Sequence, residues 1–252
     1  MIFYGMKMTI AISVSLLVAF KVTTTALCGS YTVTIYGDSY FPLAWSFQDQ
    51  TVANAFPNPD EGTRLFFWDP DNGWSVNTYE FGEWSNGQFV IKNGTGFYYQ
   101  NPTSQVKLLT VSGTDLTVTS KTFNYQAGKW HLVGYAFLQP ASGINCVECV
   151  TRPEAPEPYM SYSLGFDGGG SYGDIFYTWV ESTQTWSYAI RKQNNCSDCP
   201  GSPFWEGSTA CAWSPGCNLS PQVPRGHAFW LIPAVNRTWT HHHESDLPGC
   251  TN

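Results

Sequence analysis

In the stretch SVNTYEF, residues 75–81, Val76, Thr78 and Glu80 alternate with Asn77, Tyr79 and Phe81. A period of two puts the two sets on opposite sides of a strand and predicts one buried and one solvated face. Similar short runs follow one another along the first half of the chain: YTVTIY, TRLFFW, WSVNTY, QFVIK, GFYYQ and VKLLTV. Between them lie DPDNG, SNG and KNGTG, which supply the Gly, Asn and Pro that tight turns require. No helical stripe of 3.6-residue period interrupts the series. The pattern predicts an all-β chain of antiparallel meanders.

The chain also repeats itself. GTRLFFW (62–68) aligns with GDIFYTW (173–179), placing Gly62 on Gly173 and Trp68 on Trp179. Trp74 and Trp186 follow at nearly equal spacing. QFVIKNGTGFYYQNP (88–102) aligns with SPQVPRGHAFWLIPA (220–234), which sets Gly94 on Gly226 and Phe97 on Phe229. Upstream, YFPLAWSF (40–47) resembles KWHLVGYAF (129–137). The offset between copies grows from about 89 to 111 to 132 residues, so two inserts of about twenty residues interrupt the second copy. The expected fold is two tandem antiparallel β-sandwich or barrel-like units related by internal duplication. They cover 29–122 and 123–243, with disulfide-stapled loop inserts in the second and a C-terminal tail over 244–252.

Residues 1–28 stand apart. Lys7, an apolar run over 8–20, and a small and polar stretch after it form the layout of a secretory signal peptide. Cleavage with Ala26 and Cys28 at positions −3 and −1 removes Cys28, whereas cleavage after Ala26 keeps it. Removing the leader takes Lys7 and Lys21 with it and moves the formal charge from −7 to −9. An acidic chain without a basic run excludes nucleic acid as a partner. No transmembrane segment is expected in the mature chain. The 11 Trp, 14 Tyr and 16 Phe outnumber the 12 Lys and Arg, which strengthens the β reading.

Six cysteines fall in the two inserts: Cys146, Cys149, Cys196, Cys199, Cys211 and Cys217. The paired CxxC spacing fits a four-thiolate zinc site. Export favours disulfides instead, because thiols oxidise outside the cell. Each crosslink would confine a loop that has little core of its own, at about 2–4 kcal/mol. Cys28, where retained, could join Cys250 and tie the chain ends together. No metal or other cofactor is expected.

Candidate chemistry is sparse. Gly37-Asp38-Ser39 after a β run looks like the nucleophile block of a GDS-type hydrolase. No Asp stands three residues before His227 or His241, His242 and His243, and the helices of that fold are missing. Ser39 therefore reads as a strand end and turn. Asp69, Asp71, Glu80 and Glu83 read as solvated turn acids, DPDNG as a hairpin turn, and the three late histidines as an exposed polar tail. His131 and His227 read as structural. N-x-S/T triplets make Asn93, Asn195, Asn218 and Asn236 glycan-acceptor candidates, as in a secreted glycoprotein. Trp84, Tyr99, Trp205 and Trp213 are candidates for stacking on sugar rings.

KWHLVG (129–134), LFFWD (65–69) and GTGFYYQNP (94–102) together resemble secreted bacterial β-repeat proteins of Verrucomicrobia-like genomes. Copies in that family run GWNLI, then LYxWD, then GEGFFIxNP. The second copy here departs from it with PRGHAFW and its cysteine-rich inserts. The resemblance implies export to a cell-surface or extracellular-matrix setting and brings no catalytic residues. The expected function is a non-enzymatic structural or adhesive surface protein that assembles into an oligomer or filament with copies of itself or other surface proteins. A carbohydrate-binding module that recognises glycans is the alternative, and a secreted hydrolase the third reading.

Overall fold

The structure is a computed structural model, and it describes residues 28–138, 173–192, 204–207 and 223–242. The first copy contains β1 (Cys28–Ile35), β2 (Tyr40–Ala44), β3 (Gln50–Thr51), a single helical turn α1 (Val52–Ala55), β4 (Arg64–Asp69) and β5 (Gly73–Glu80). It continues with β6 (Glu83–Trp84), β7 (Val90–Ile91), β8 (Gly96–Gln100) and β9 (Lys107–Thr114). The second contains β10 (Ser120–Tyr125), β11 (His131–Val133), β12 (Ile175–Val180), β13 (Thr185–Lys192), β14 (Phe204–Gly207), β15 (Phe229–Ile232) and β16 (Arg237–His242). No helix among the described residues is long and apolar enough to cross a membrane.

Apart from the short β3–β7 ribbon of the first copy, which has no counterpart among the described residues, the duplication is visible strand for strand. One five-stranded sheet runs β2-β8-β4-β5-β6 and the other β11-β15-β12-β13-β14, so the copies share one topology. Each is completed by a two-stranded ribbon, β1-β9 in the first and β10-β16 in the second. Registers agree as well. Trp68 faces Trp74 where Trp179 faces Trp186, and Thr32 bonds Thr110 where Thr122 bonds Thr240. The second unit begins at Ser120, ahead of the expected boundary at 122/123, because β10 pairs with β16 and not with the first copy.

Alternation decides what each sheet buries. Phe41 and Leu43, Leu65 and Phe67, and Phe97 and Tyr99 point inward to a core shared with Tyr31, Val33 and Ile35 of β1. Phe176, Phe229, Leu231 and Trp239 form the second core. Each buried aliphatic or aromatic side chain contributes about 1.5–3 kcal/mol. In β5 the expected alternation is reduced to one buried position. Asn77 is buried and holds Ser85 Oγ and the Asn86 amide through its Oδ1. Phe81, expected on the same face, stands 95% exposed in the β5–β6 turn, with φ +57.

The two copies meet around a local two-fold axis. Leu43 bridges His227 and its counterpart Val133 bridges Thr95, the reciprocity that such an axis produces. Ala44 N–H donates to Gly226 O and Gly134 N–H to Gly94 O, again as equivalents. Strands β8, β2, β15 and β11 thus close on one another, and no free edge remains at the centre. The approach is possible because the axial residues are small. A Cβ on Gly134 would stand 2.5 Å from Thr95 O and 3.1 Å from Ala44 Cα, its own counterpart. A Cβ on Gly96 would stand 2.9 Å from that of Ala228, also its counterpart.

Gly94 and Gly226 meet two demands at once. Both lie at positive φ, +83 and +76, and each lies under a ring from the opposite copy, Phe123 and Tyr31 respectively. Any side chain at either position would face backbone strain and displace that ring.

Candidate functional site

The outer side of the joined sheets carries the feature that the core does not explain. In the first copy, registered rows read Val76–Phe66–Tyr98 and Trp74–Trp68. In the second they read Tyr188–Tyr177–Trp230 and Trp186–Trp179, followed by Ile190–Ile175–Ile232. The equivalent third row of the first copy is Thr78–Arg64–Gln100. Arg64 is the one charge on the rows of the first copy, and the isoleucine row of the second continues in register to Glu206 of β14.

Ring contacts join the rows across the axis. Trp74 meets Trp230 at 5.9 Å, and the equivalent pair, Trp186 and Tyr98, meets at 6.2 Å. Trp130 stacks on Tyr177 at 5.3 Å and packs edge-on to Trp230 at 5.7 Å. Two hydrogen bonds fix the mosaic: Trp68 Nε1–H donates to Trp130 O and Trp230 Nε1–H to Tyr98 Oη. Burial pushes the Tyr98 phenol up to about 12, so it stays neutral. Even so, Trp74 keeps 47% of its surface exposed and Trp130 44%. Contiguous exposed aromatic surface of this kind marks interaction sites.

Most sequence candidates lie elsewhere. Trp84 and Tyr99 are buried, and Trp84 Nε1–H donates to Phe56 O, so neither ring is open to a sugar. Asn93 is no accessible glycan acceptor. It is buried, and its Nδ2 donates to Phe47 O and Ala136 O. Asn236 is exposed, with Oδ1 accepting the Ala127 amide. His241 does not belong to an exposed tail. It lies in β16, buried, stacked on Tyr135, with Nδ1 accepting the Ala136 amide. Ser39 donates to Tyr36 O within a turn. Asp69 Oδ1 collects the amides of Asp71 and Asn72 in the hairpin, and the Asp71 amide bond leads in holding its carboxyl below the usual range. Cys28 opens β1. Cys146, Cys149, Cys196, Cys199, Cys211, Cys217, Cys250, Asn195, Asn218 and Trp213 lie outside the described residues, and Trp205 falls in β14, described as backbone alone.

His227 carries a testable consequence of burial. Its ring packs edge-on to Phe41 at 4.7 Å, and desolvation pushes its pKa down to about 4. Glu181 Oε2 stands 3.9 Å away, too far and too exposed to offset that loss. Arg225, two residues before it, donates to Ser30 O. An unfolded His binds its proton near pH 6.5 and the folded one near 4. Stability is therefore complete above pH 6.5 and falls between those values as pH drops, by about 3 kcal/mol. Denaturant titrations from pH 7 to 4 should show this slope, and His227→Gln should flatten it. An unchanged slope in the variant would refute the assignment.

No family model matches the chain, and the searches of curated proteins and solved structures found no similar protein.

Proposed function

We propose that the protein is a secreted, non-enzymatic structural or adhesive surface component that assembles with copies of itself through its aromatic outer face. One observation carries the reading: apolar rows run across the local axis almost without charge. A contact between identical subunits needs a patch that complements itself. A face built from two equivalent halves offers matching aromatic rows in either half, with only the third row changed from isoleucines to Thr78–Arg64–Gln100.

Ring orientation favours assembly over sugar stacking. Trp68 and Trp74 lie at 62° to one another, Trp68 and Trp230 at 77°, and Trp74 and Trp230 at 90°. A platform that stacks several sugars across this outer face needs a flat row of rings. Edge-to-face packing instead gives a close-packed apolar wall suited to another apolar wall. The leader-like residues 1–28 and the resemblance to exported β-repeat proteins support the extracellular setting.

Sedimentation across a concentration series tests the proposal. The wild type should associate as concentration rises. Trp74→Ser with Trp130→Ser removes two exposed rings and should weaken association at least about tenfold while the fold persists. A wild type that stays monomeric at high concentration overturns the reading.

A further inference from the structure

A groove of about 370 Å³ lies where the β4–β5 hairpin of the first copy faces β10 and β11 of the second. Its lining includes Trp68, Lys92, Asn93, Lys121, Thr122 and Asp49. We propose that this groove binds an acidic polysaccharide, with a sugar carboxylate held by Lys92 and Lys121 and a sugar ring laid against Trp68.

The lysines are the first argument. Four lysine side chains are described. Lys107 and Lys129 pair with Asp60 and Asp71. The two that make no ion pair, Lys92 and Lys121, both line this groove. Among the described residues four Lys and Arg side chains lack an acid partner; Arg64 and Arg225 lie outside the groove, whereas Lys92 and Lys121 meet in this one concavity, which favours an anionic ligand. Lys121 Nζ lies 5.6 Å from the Phe123 ring centre, which holds the ammonium against the wall.

The local symmetry supplies the second argument. On the other side of the axis the equivalent positions carry Pro224 for Lys92, Tyr31 for Lys121 and Arg225 for Asn93, and Arg225 Nη2 donates to Ser30 O. Tyr31 is buried there against Phe47 and donates to Ala44 O. Packing around the axis therefore does not require lysine at either position. The lysine pair, one from each copy, occurs on one side of the axis alone, as expected of a site acquired after duplication.

The remaining lining suits a carbohydrate over a bare anion. The Trp68 indole is fixed through its Nε1–H to Trp130 O, which leaves a rigid half-exposed ring. Thr122 supplies a hydroxyl. Asp49, whose Oδ1 accepts the Asn93 amide, keeps a second oxygen for sugar hydroxyls. The Asn93 side chain donates its two Nδ2 bonds inward, and its Oδ1 has no partner. A duplex nucleic acid needs a longer line of cations than two.

Calorimetric titration with polygalacturonate, and with its methyl ester as the uncharged control, tests this independently of self-association. The purified protein should bind the acid polymer and lose that binding on esterification. Lys92→Gln with Lys121→Gln should weaken it at least about tenfold. The same variant should sediment like the wild type, since neither lysine lies on the outer rows. Equal binding of acid and ester, unchanged affinity in the variant, or no binding to polygalacturonate, alginate or hyaluronan overturns the proposal. Equal binding of duplex DNA also overturns it, by showing a charge effect without sugar recognition.

Discussion

Gly134→Val leaves no folded protein, and Gly134→Ala loses on the order of 3 kcal/mol. The cause is steric and central. The new Cβ would stand 2.5 Å from Thr95 O and 2.9 Å from Thr95 C, which are backbone atoms and cannot rotate aside. Relief requires moving β11 away from the segment entering β8. That breaks the Gly134 N–H bond to Gly94 O and, through the axis, the matching Ala44 bond to Gly226 O. Gly128→Ala provides the comparison. It sits in a turn, at φ +69, and a Cβ there meets nothing within 4 Å. Its cost is confined to left-handed backbone strain, about 1–2 kcal/mol. Urea unfolding of the two alanine variants separates these effects. Equal destabilisation would mean that the copies tolerate separation at the axis.

The same contact shows why the fold was partly legible in sequence. Gly62 with Gly173 and Gly94 with Gly226 recur because equivalent turns demand positive φ in both copies, and such positions resist substitution. Trp68 with Trp179 and Trp74 with Trp186 recur because both hairpins carry the same outer row. The ribbon strands β1 and β10 share little sequence. Tyr31 fills a position that Lys121 occupies in the second copy, and so the boundary expected at 122/123 falls inside β10. Period-two alternation separates the faces of a strand without saying which is inward, and a slip of one residue exchanges them. Tyr99, a candidate for sugar stacking, faces the core, while its neighbour Tyr98 faces out. Asn93 and His241 were misread from local patterns that carry no information on burial. The one-turn helix α1 is too short to leave a periodic signal. The outer aromatic face draws on strands of both copies, and the groove on residues from separate elements, so neither exists until the chain has folded.

Substitution at Asp174 should separate the copies energetically. Asp174 Oδ2 meets Arg237 Nη2 at 2.8 Å with both side chains buried, and Asp174 Oδ1 accepts the Ala234 amide at 2.7 Å. The pair ties the entry of β12 to the start of β16, and so pins the ribbon to the sheet. In the first copy Lys107, the counterpart of Arg237, reaches Asp60 at 2.6 Å with side chains 25% and 44% exposed. The position matching Asp174 is Thr63. Removing an acid from the buried pair strands a guanidinium in a low-dielectric site, so Asp174→Ala should cost about 3–5 kcal/mol. Water can solvate Lys107 when its partner goes, so Asp60→Ala should cost no more than about 1 kcal/mol. Adding Arg237→Met to Asp174→Ala removes the stranded charge and should recover a large part of the loss. Urea midpoints of the three variants measure the contrast. A loss below about 1 kcal/mol for Asp174→Ala, or no recovery in the double variant, would show that the ribbon is held by the packing of Trp239 and Tyr125 and not by the ion pair.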